Sequence, residues 1–368
     1  MTPQPHLTFY VDPAWRRDGI HTPLLNPWWG NPFTEASPFT KQLFDTYSFD
    51  THYYTVTDHI EEADMVLGPY PQVWCHRYEP ALFDTFVETA RDLQLPLLVD
   101  GTGDIERPVD EEHVYVLRYG GYRFLPEKRR IQVPLFTDDL LVRYCGGQFG
   151  AREKTSRRPT IGFAGWSTLS GVQRLKTGIK ELPVRLHSMF DERYHACTKG
   201  VLWRERVLGV LRQSLRVETQ FHARRSFSGS TKTAEGDMAT LRDEFVQSIL
   251  SSDYALDIRG DANDSSRLFE ITSLGRIPII FDTERRLPFA NELDYSTFAL
   301  VVDFRVLAHL PDIVADFHAA LTPERFVEMQ RRARVAYEQF FRLDAATKHI
   351  ITDISTQVAR DHRQAKTM

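Results

Sequence analysis

Short apolar runs alternate with turns and amphipathic stretches along the whole chain. LTFYV at 7–11 and ADMVLG at 63–68 read as buried strands, and residues 81–93 follow a helical pattern. LPLLVDGTGD at 95–104 reads as a strand that empties into a Gly-rich turn, and HVYVLRY at 113–119 as another strand. Strand, helix and strand joined by short links define an α/β unit. PWWGNPF at 27–33 sets aromatic rings beside turn formers, so Trp28 and Trp29 either pack inward or face a ligand.

GGQFGAREKTSRRPT at 146–160 mixes Gly, charge and polar residues and marks a domain boundary. Beyond it, TIGFAGW at 160–166 opens a second α/β half, and residues 201–215 look helical with interspersed arginines that can snorkel. The most regular stretch predicts a helix over 241–250, a strand over 254–258, a helix from about Ser266 and a strand over 277–281. Ser265 and Ser266 stand at an N-cap and Gly275 at a C-cap. A strand follows at 299–304, then helices from Pro311 and from Pro323, the latter capped by Thr322.

The 368 residues suggest two domains, with one large barrel as the alternative, and a hydrophobic share of 42% excludes a disordered tail protein. Against 50 acidic residues stand 45 Lys and Arg, a net charge of −5, which offers no global attraction to nucleic acid. Cys75, Cys145 and Cys197 show no CxxC spacing, so neither a disulfide framework nor a cysteine-built metal site is expected. No apolar run approaches the roughly 20 residues that span a bilayer. The start lacks a signal-peptide pattern, so a cytoplasmic protein is expected, with the inner face of a membrane as an option.

RGDANDSSRLFE at 259–270 joins a strand end, a polar loop and a helix start. Helix N-terminal N–H groups, the Ser265 and Ser266 hydroxyls and the Arg267 fork suit a phosphate, and Glu270 suits the hydroxyls of a ribose. The competing interpretation is a capping box on Ser266 with Arg267 in a surface ion pair. The loop is not a Walker A sequence.

From SDYALDIRGDANDSSRLFEITSLGRIPIIFDTERRLPFANELDY at 252–295, the sequence resembles the exostosin-like glycosyltransferases. The order of Arg-Gly, Ser-Arg, Phe-Glu, Leu-Gly, Ile-Pro-Ile-Ile and Leu-Pro-Phe carries the likeness, with weaker echoes at 56–71 and 162–174. The resemblance implies a GT-B fold of two Rossmann-like domains across a cleft: an acceptor-side domain at 1–150, a donor domain at 158–321, and C-terminal helices at 322–368 packing back on the first. It also implies inverting, metal-independent transfer from a nucleotide sugar, a UDP-sugar in the first instance, to a glycan, oligosaccharide or lipid-linked acceptor, with no further cofactor. Peripheral membrane association fits such an acceptor. Arg259, Gly260, Ser265, Ser266, Arg267 and Glu270 would hold the donor, with Gly165 and Arg174 added from the first loop of that domain. A GDP-sugar fucosyltransferase-like enzyme and a catalytically silent glycan-binding protein are the alternatives.

Where family members carry a small apolar residue and Pro before Arg-Gly, this chain has Asp257 and Ile258. A buried Asp257 needs Arg259, Arg267 or backbone N–H partners. Inversion needs a base on the acceptor side. Asp100 and Asp104 flank the Gly-rich turn at a strand's carboxyl end, where α/β sheets place ligands, and His76, after the preceding apolar segment, is the third candidate. Each has a plainer role: a turn cap for Asp100, a partner for Arg107 in the case of Asp104, a packed donor for His76. Glu292 and Asp294 are candidates for sugar hydroxyls, and Trp166 for stacking.

Overall fold

A computed structural model describes residues 5–35, 37–103, 107–226 and 234–367. The first sheet contains β1 (Leu7–Tyr10), β2 (Tyr54–Thr57), β3 (Met65–Leu67), β4 (Leu97–Asp100), β5 (Val114–Arg118) and β6 (Arg130–Gln132), in the order β2-β1-β3-β4-β5-β6. The second contains β7 (Thr160–Trp166), β8 (Glu218–Arg224), β9 (Tyr254–Asp257), β10 (Ile277–Asp282) and β11 (Leu300–Asp303), in the order β11-β10-β9-β7-β8. Every strand pair is parallel. Parallel sheets need a covering layer on both faces, which is why β4, β9 and β10 are buried along their whole lengths. The two halves therefore repeat one doubly wound plan, and the fold is GT-B: two Rossmann-like domains facing each other across a cleft.

Most predicted elements stand within a few residues of their expected limits. The helix expected at 241–250 starts earlier, at Met238, because Asp237 caps it by accepting from Thr240 N at 2.9 Å. PWWG forms a helical turn, Asn26–Trp29, rather than an open loop. Three strands escaped the pattern. β2, β6 and β8 are all sheet edges, and an edge strand needs no continuous apolar face.

Residues 146–159 form no helix or strand and connect the sheets. The terminal helix Leu343–Thr367 returns to the first sheet, where Ile350, Ile351 and Ile354 join the core of Phe9, Leu98 and Val116. Gln357 Nε2 donates to Arg130 O at 3.0 Å, and Arg129 pairs with Asp361 at 2.8 Å. From the preceding helix, Pro323–Ala336, Arg334 grips both oxygens of Asp139 at 2.7 and 2.8 Å and also donates to Ser273 O. One guanidinium thus ties the chain leaving the first half to the helix Ser266–Ser273 of the second.

Candidate functional site

In doubly wound sheets ligands settle outside the carboxyl ends of the strands where the order reverses. In the second sheet that point lies between β7 and β9, and both strands end in loops that line a cleft of ≈ 520 Å³. This volume falls within the range of small-molecule sites. Gly165 and Trp166 come from β7, and Gly260, Asp261, Ala262, Asp264, Ser265 and Ser266 from the loop after β9 and the helix start. The opposite wall belongs to the first half: Phe39, Thr40 and Leu43 from the helix Pro38–Thr46, and Leu135 through Asp138.

Ser265, not Ser266, caps the helix Ser266–Ser273, its hydroxyl accepting from Arg267 N at 3.3 Å. Leu274 and then Gly275, at φ +62°, end the helix, with Arg276 N bonding back to Ile271 O at 3.1 Å. Arg267 is not in a surface ion pair. Its side chain is buried, stacks on Phe163 with Cζ 4.3 Å from the ring centre, and donates from Nη2 to Ala164 O at 2.8 Å. Its Nε and Nη1 are buried without a hydrogen-bond partner. Burial holds this guanidinium below its usual pKa, opposed by Glu270 and Asp257.

Glu270 is also buried and lines the cleft, where Arg242 meets it at 2.6 Å and Ser266 Oγ at 3.4 Å. Gly260 lines the cleft too, its N–H bonded to Asp264 O at 2.8 Å. Arg259 points elsewhere, donating to Tyr122 Oη, Ala196 O and Asp261 O, and so braces the loop from outside the cleft lining. Arg174 sits exposed on the helix Gly171–Lys180, paired with Glu205, and does not line the cleft. The buried Asp257 meets neither Arg259 nor Arg267. Its partner is Arg285, itself fully buried and 3.7 Å from Asp264.

Three further cations line the cleft that the sequence pattern did not single out. Arg204, from the helix Gly200–Gln213, donates to Trp166 O at 3.2 Å and Ile258 O at 3.3 Å, bridging the ends of β7 and β9. Burial, with Arg267 as the next cause, pushes it down to about 9, so it stays charged at neutral pH. Arg224 ends β8 and pairs with Glu244 at 3.0 Å, and Arg242 stacks on Phe39 of the opposite wall. Four arginines thus converge on one cavity, and the charge pattern of the whole chain gave no sign of it.

In the first half, Asp100 is buried at the end of β4 and accepts from Thr102 N at 2.9 Å and Thr102 Oγ1 at 2.6 Å. It faces a separate pocket of ≈ 20 Å³ beside Thr22 and Tyr119, not the cleft. His76 packs against Phe83, with ring centres 5.4 Å apart, and is also outside the cleft lining. Asp104 lies outside the described residues. Among the described residues, Asp138 is the one carboxylate that the first half contributes to the cleft, and it pairs with Arg143. Glu292 is engaged by His349 at 2.7 Å, Asp294 caps the turn Tyr295–Thr297, and Trp166 lines the cleft with Nε1 donating to Thr168 O at 3.1 Å. Trp28 meets Tyr54 edge-on, and Trp29 sits against His21, both away from the cleft.

Residues 203–317 match the family model of the exostosin GT47 domain. That span holds Arg204, Arg224, Arg242 and the whole loop from Arg259 to Glu270, so the likeness to a glycosyltransferase domain falls on the wall of the cleft that the second half supplies. Exostosin-1 of Drosophila melanogaster is 29% identical over 100 residues, which are 27% of this chain and 13% of that protein's length. Among solved structures, Anabaena Alr3699/HepE in complex with UDP-glucose covers 96% of this chain and all of its own, at 9% identity and a TM-score of 0.34. A glycosyltransferase from Rickettsia africae covers 97% of this chain and 99% of its own, at 9% identity and a TM-score of 0.33. Among the described residues no helix is long and apolar enough to cross a membrane, and no group of three or more His, Cys, Asp or Glu is placed to hold a metal ion.

Proposed function

We propose that the protein is an inverting glycosyltransferase that moves a sugar from a nucleoside diphosphate sugar, a UDP-sugar in the first instance, to a hydroxyl of a glycan or glycolipid. The observation that carries this reading is Arg267: a buried guanidinium at a helix N-terminus, lining the cleft, with two N–H-bearing atoms unpartnered. An unpaired buried cation is costly, and a diphosphate supplies the missing acceptors and charge. Arg204, Arg224 and Arg242 surround the same space. The helix N-terminus adds its N–H groups. Glu270 is the candidate for the ribose hydroxyls, with Gly260, Ser265 and Ser266 as loop contacts and Gly165 as the residue that leaves room.

In this reading the acceptor oxygen attacks the anomeric carbon while the bond from that carbon to the phosphate oxygen breaks. The arginines take up the charge that grows on the leaving diphosphate, and no resident cofactor is required. Asp138, facing the donor wall from the first half, replaces Asp100 and His76 as the group that accepts the hydroxyl proton.

Thermal shift with UDP, GDP, CMP and ADP tests the reading. UDP at 100 times its Kd adds about 2.7 kcal/mol of stability. That gain should vanish in Arg267→Ala and Glu270→Ala. A response to GDP instead moves the donor to a GDP-sugar, and silence to every nucleotide removes the transferase reading in favour of a glycan-binding protein.

A further inference from the structure

The segment following β7 is built inside out. The helices Gly171–Lys180 and Leu182–Ser188 meet at Glu181, with Pro183 in the first turn of the second. Thr177 and Glu181 are buried against the protein, whereas Val172, Leu175, Ile179, Leu182, Leu186 and Met189 face outward, Leu175 at 70% and Met189 at 78% exposure. Phe190 extends the row and is 90% exposed. From Val172 to Met189 the six positions are spaced alternately by three and four residues, so they form one stripe that Phe190 prolongs. Large apolar side chains scattered singly on a surface are ordinary, but a contiguous row of seven is not.

Charge identifies the occupant. Lys176 and Lys180 border one edge of the stripe and Arg185 the other. Among the described residues, none of the three has a carboxylate in ion-pair range. The single acid in 171–190 is Glu181, turned inward, where it accepts from Lys199 N at 3.2 Å. A second copy of the stripe, whose spacing also suits a coiled-coil seam, would bring these cations against one another with no acid inside the stripe to answer them, and the acids just beyond it, Asp191 and Glu192, are already paired with Arg193 and Arg305. An apolar face rimmed by basic residues instead matches a bilayer, with the apolar row in the acyl boundary and the cations at anionic headgroups.

We infer that the outward face of residues 171–190 docks the protein on an anionic lipid surface. The helix begins five residues after Trp166, which lines the cleft, so docking holds the cleft beside the membrane. The inference stands apart from the donor reading: a protein that ignores every nucleotide can still bind vesicles, and the reverse.

Flotation of the full chain with phosphatidylcholine vesicles, with and without phosphatidylglycerol, provides the test. The protein should float with the anionic vesicles, lose most of this at high salt, and bind phosphatidylcholine alone at least about tenfold more weakly. Each charge removed should weaken binding about fivefold, so Lys176→Glu with Lys180→Glu should abolish flotation at an unchanged melting temperature. Leu175→Ser with Phe190→Ser should do the same, since both side chains lie in solvent and their loss leaves the core intact. Failure of the unaltered protein to float overturns the inference. So does flotation undiminished in both variants, or light scattering that shows a dimer dissociated by the serine pair.

Discussion

A methyl group placed on Gly165 would lie 2.7 Å from Nη2 of Arg267. Gly165 holds φ at +154°, in a region that L side chains rarely adopt, so the last but one residue of β7 both takes a conformation suited to glycine and clears space for the guanidinium. Gly165→Ala should therefore push Arg267 out of its stack on Phe163. The expected result is UDP affinity weakened about tenfold or more, or ~1.4 kcal/mol, by titration calorimetry. Unchanged affinity would mean that Arg267 does not contact the ligand from this position.

Arg267→Ala separates a ligand group from a structural one. With Nε and Nη1 unpartnered, the side chain contributes a buried charge that the unliganded protein compensates only in part, through Ala164 O, Phe163 and the fields of Glu270 and Asp257. Melting of the ligand-free variant should match or exceed that of the parent, while UDP binding falls about 10- to 100-fold through loss of charge-assisted hydrogen bonds. A large drop in ligand-free stability would instead assign Arg267 to the fold.

Glu270 reaches the cleft already bonded to Arg242 at 2.6 Å, and this pair orients its carboxylate toward the helix start. If that carboxylate receives a ribose hydroxyl, UDP should bind at least about tenfold better than 2′-deoxy-UDP. Glu270→Gln should shrink that preference toward unity.

Asp264 lends itself to a pH test. Burial raises its carboxyl to about 6 against the pull of Arg285, and the unfolded residue titrates near ~3.9. Between those values the folded chain binds more protons than the unfolded one, so this group's effect on stability is most favourable below about pH 4 and declines as pH rises to about 6. Asp264→Asn should gain on the parent protein across that window, so that above about pH 6.5 the difference between the two stands on the order of 2–3 kcal/mol more in the variant's favour than below about pH 4. A difference independent of pH in parallel melts would contradict this.

Asp138→Asn should leave UDP binding intact and lower kcat by about 10²- to 10⁴-fold, the usual contribution of a positioned base. Asp100→Asn should not give that split, because Asp100 is closed off beneath β4 and serves the Thr102 turn.

Contiguity explains which parts of the site were legible. Ser265, Arg267 and Glu270 stand within one turn and a half of a helix start, so their convergence follows from local geometry. Arg204, Arg224 and Arg242 lie on three separate elements, and each looks like an ordinary surface or snorkelling arginine in its own segment. Asp257 and Arg285 are 28 residues apart, and only the adjacency of β9 and β10 joins them.

The sequence by itself determined two α/β halves, the polar junction at 146–160, and a phosphate-suited loop between a strand and a helix. These follow from periodicity and capping, which act over a few residues. The tertiary structure alone decided which carboxylate the first half brings to the cleft, which arginines surround it, and that the stripe at 172–190 faces outward. An apolar stripe of helical spacing has the same pattern whether it covers a core or meets a membrane, and only the rest of the fold decides which side of the helix is already occupied.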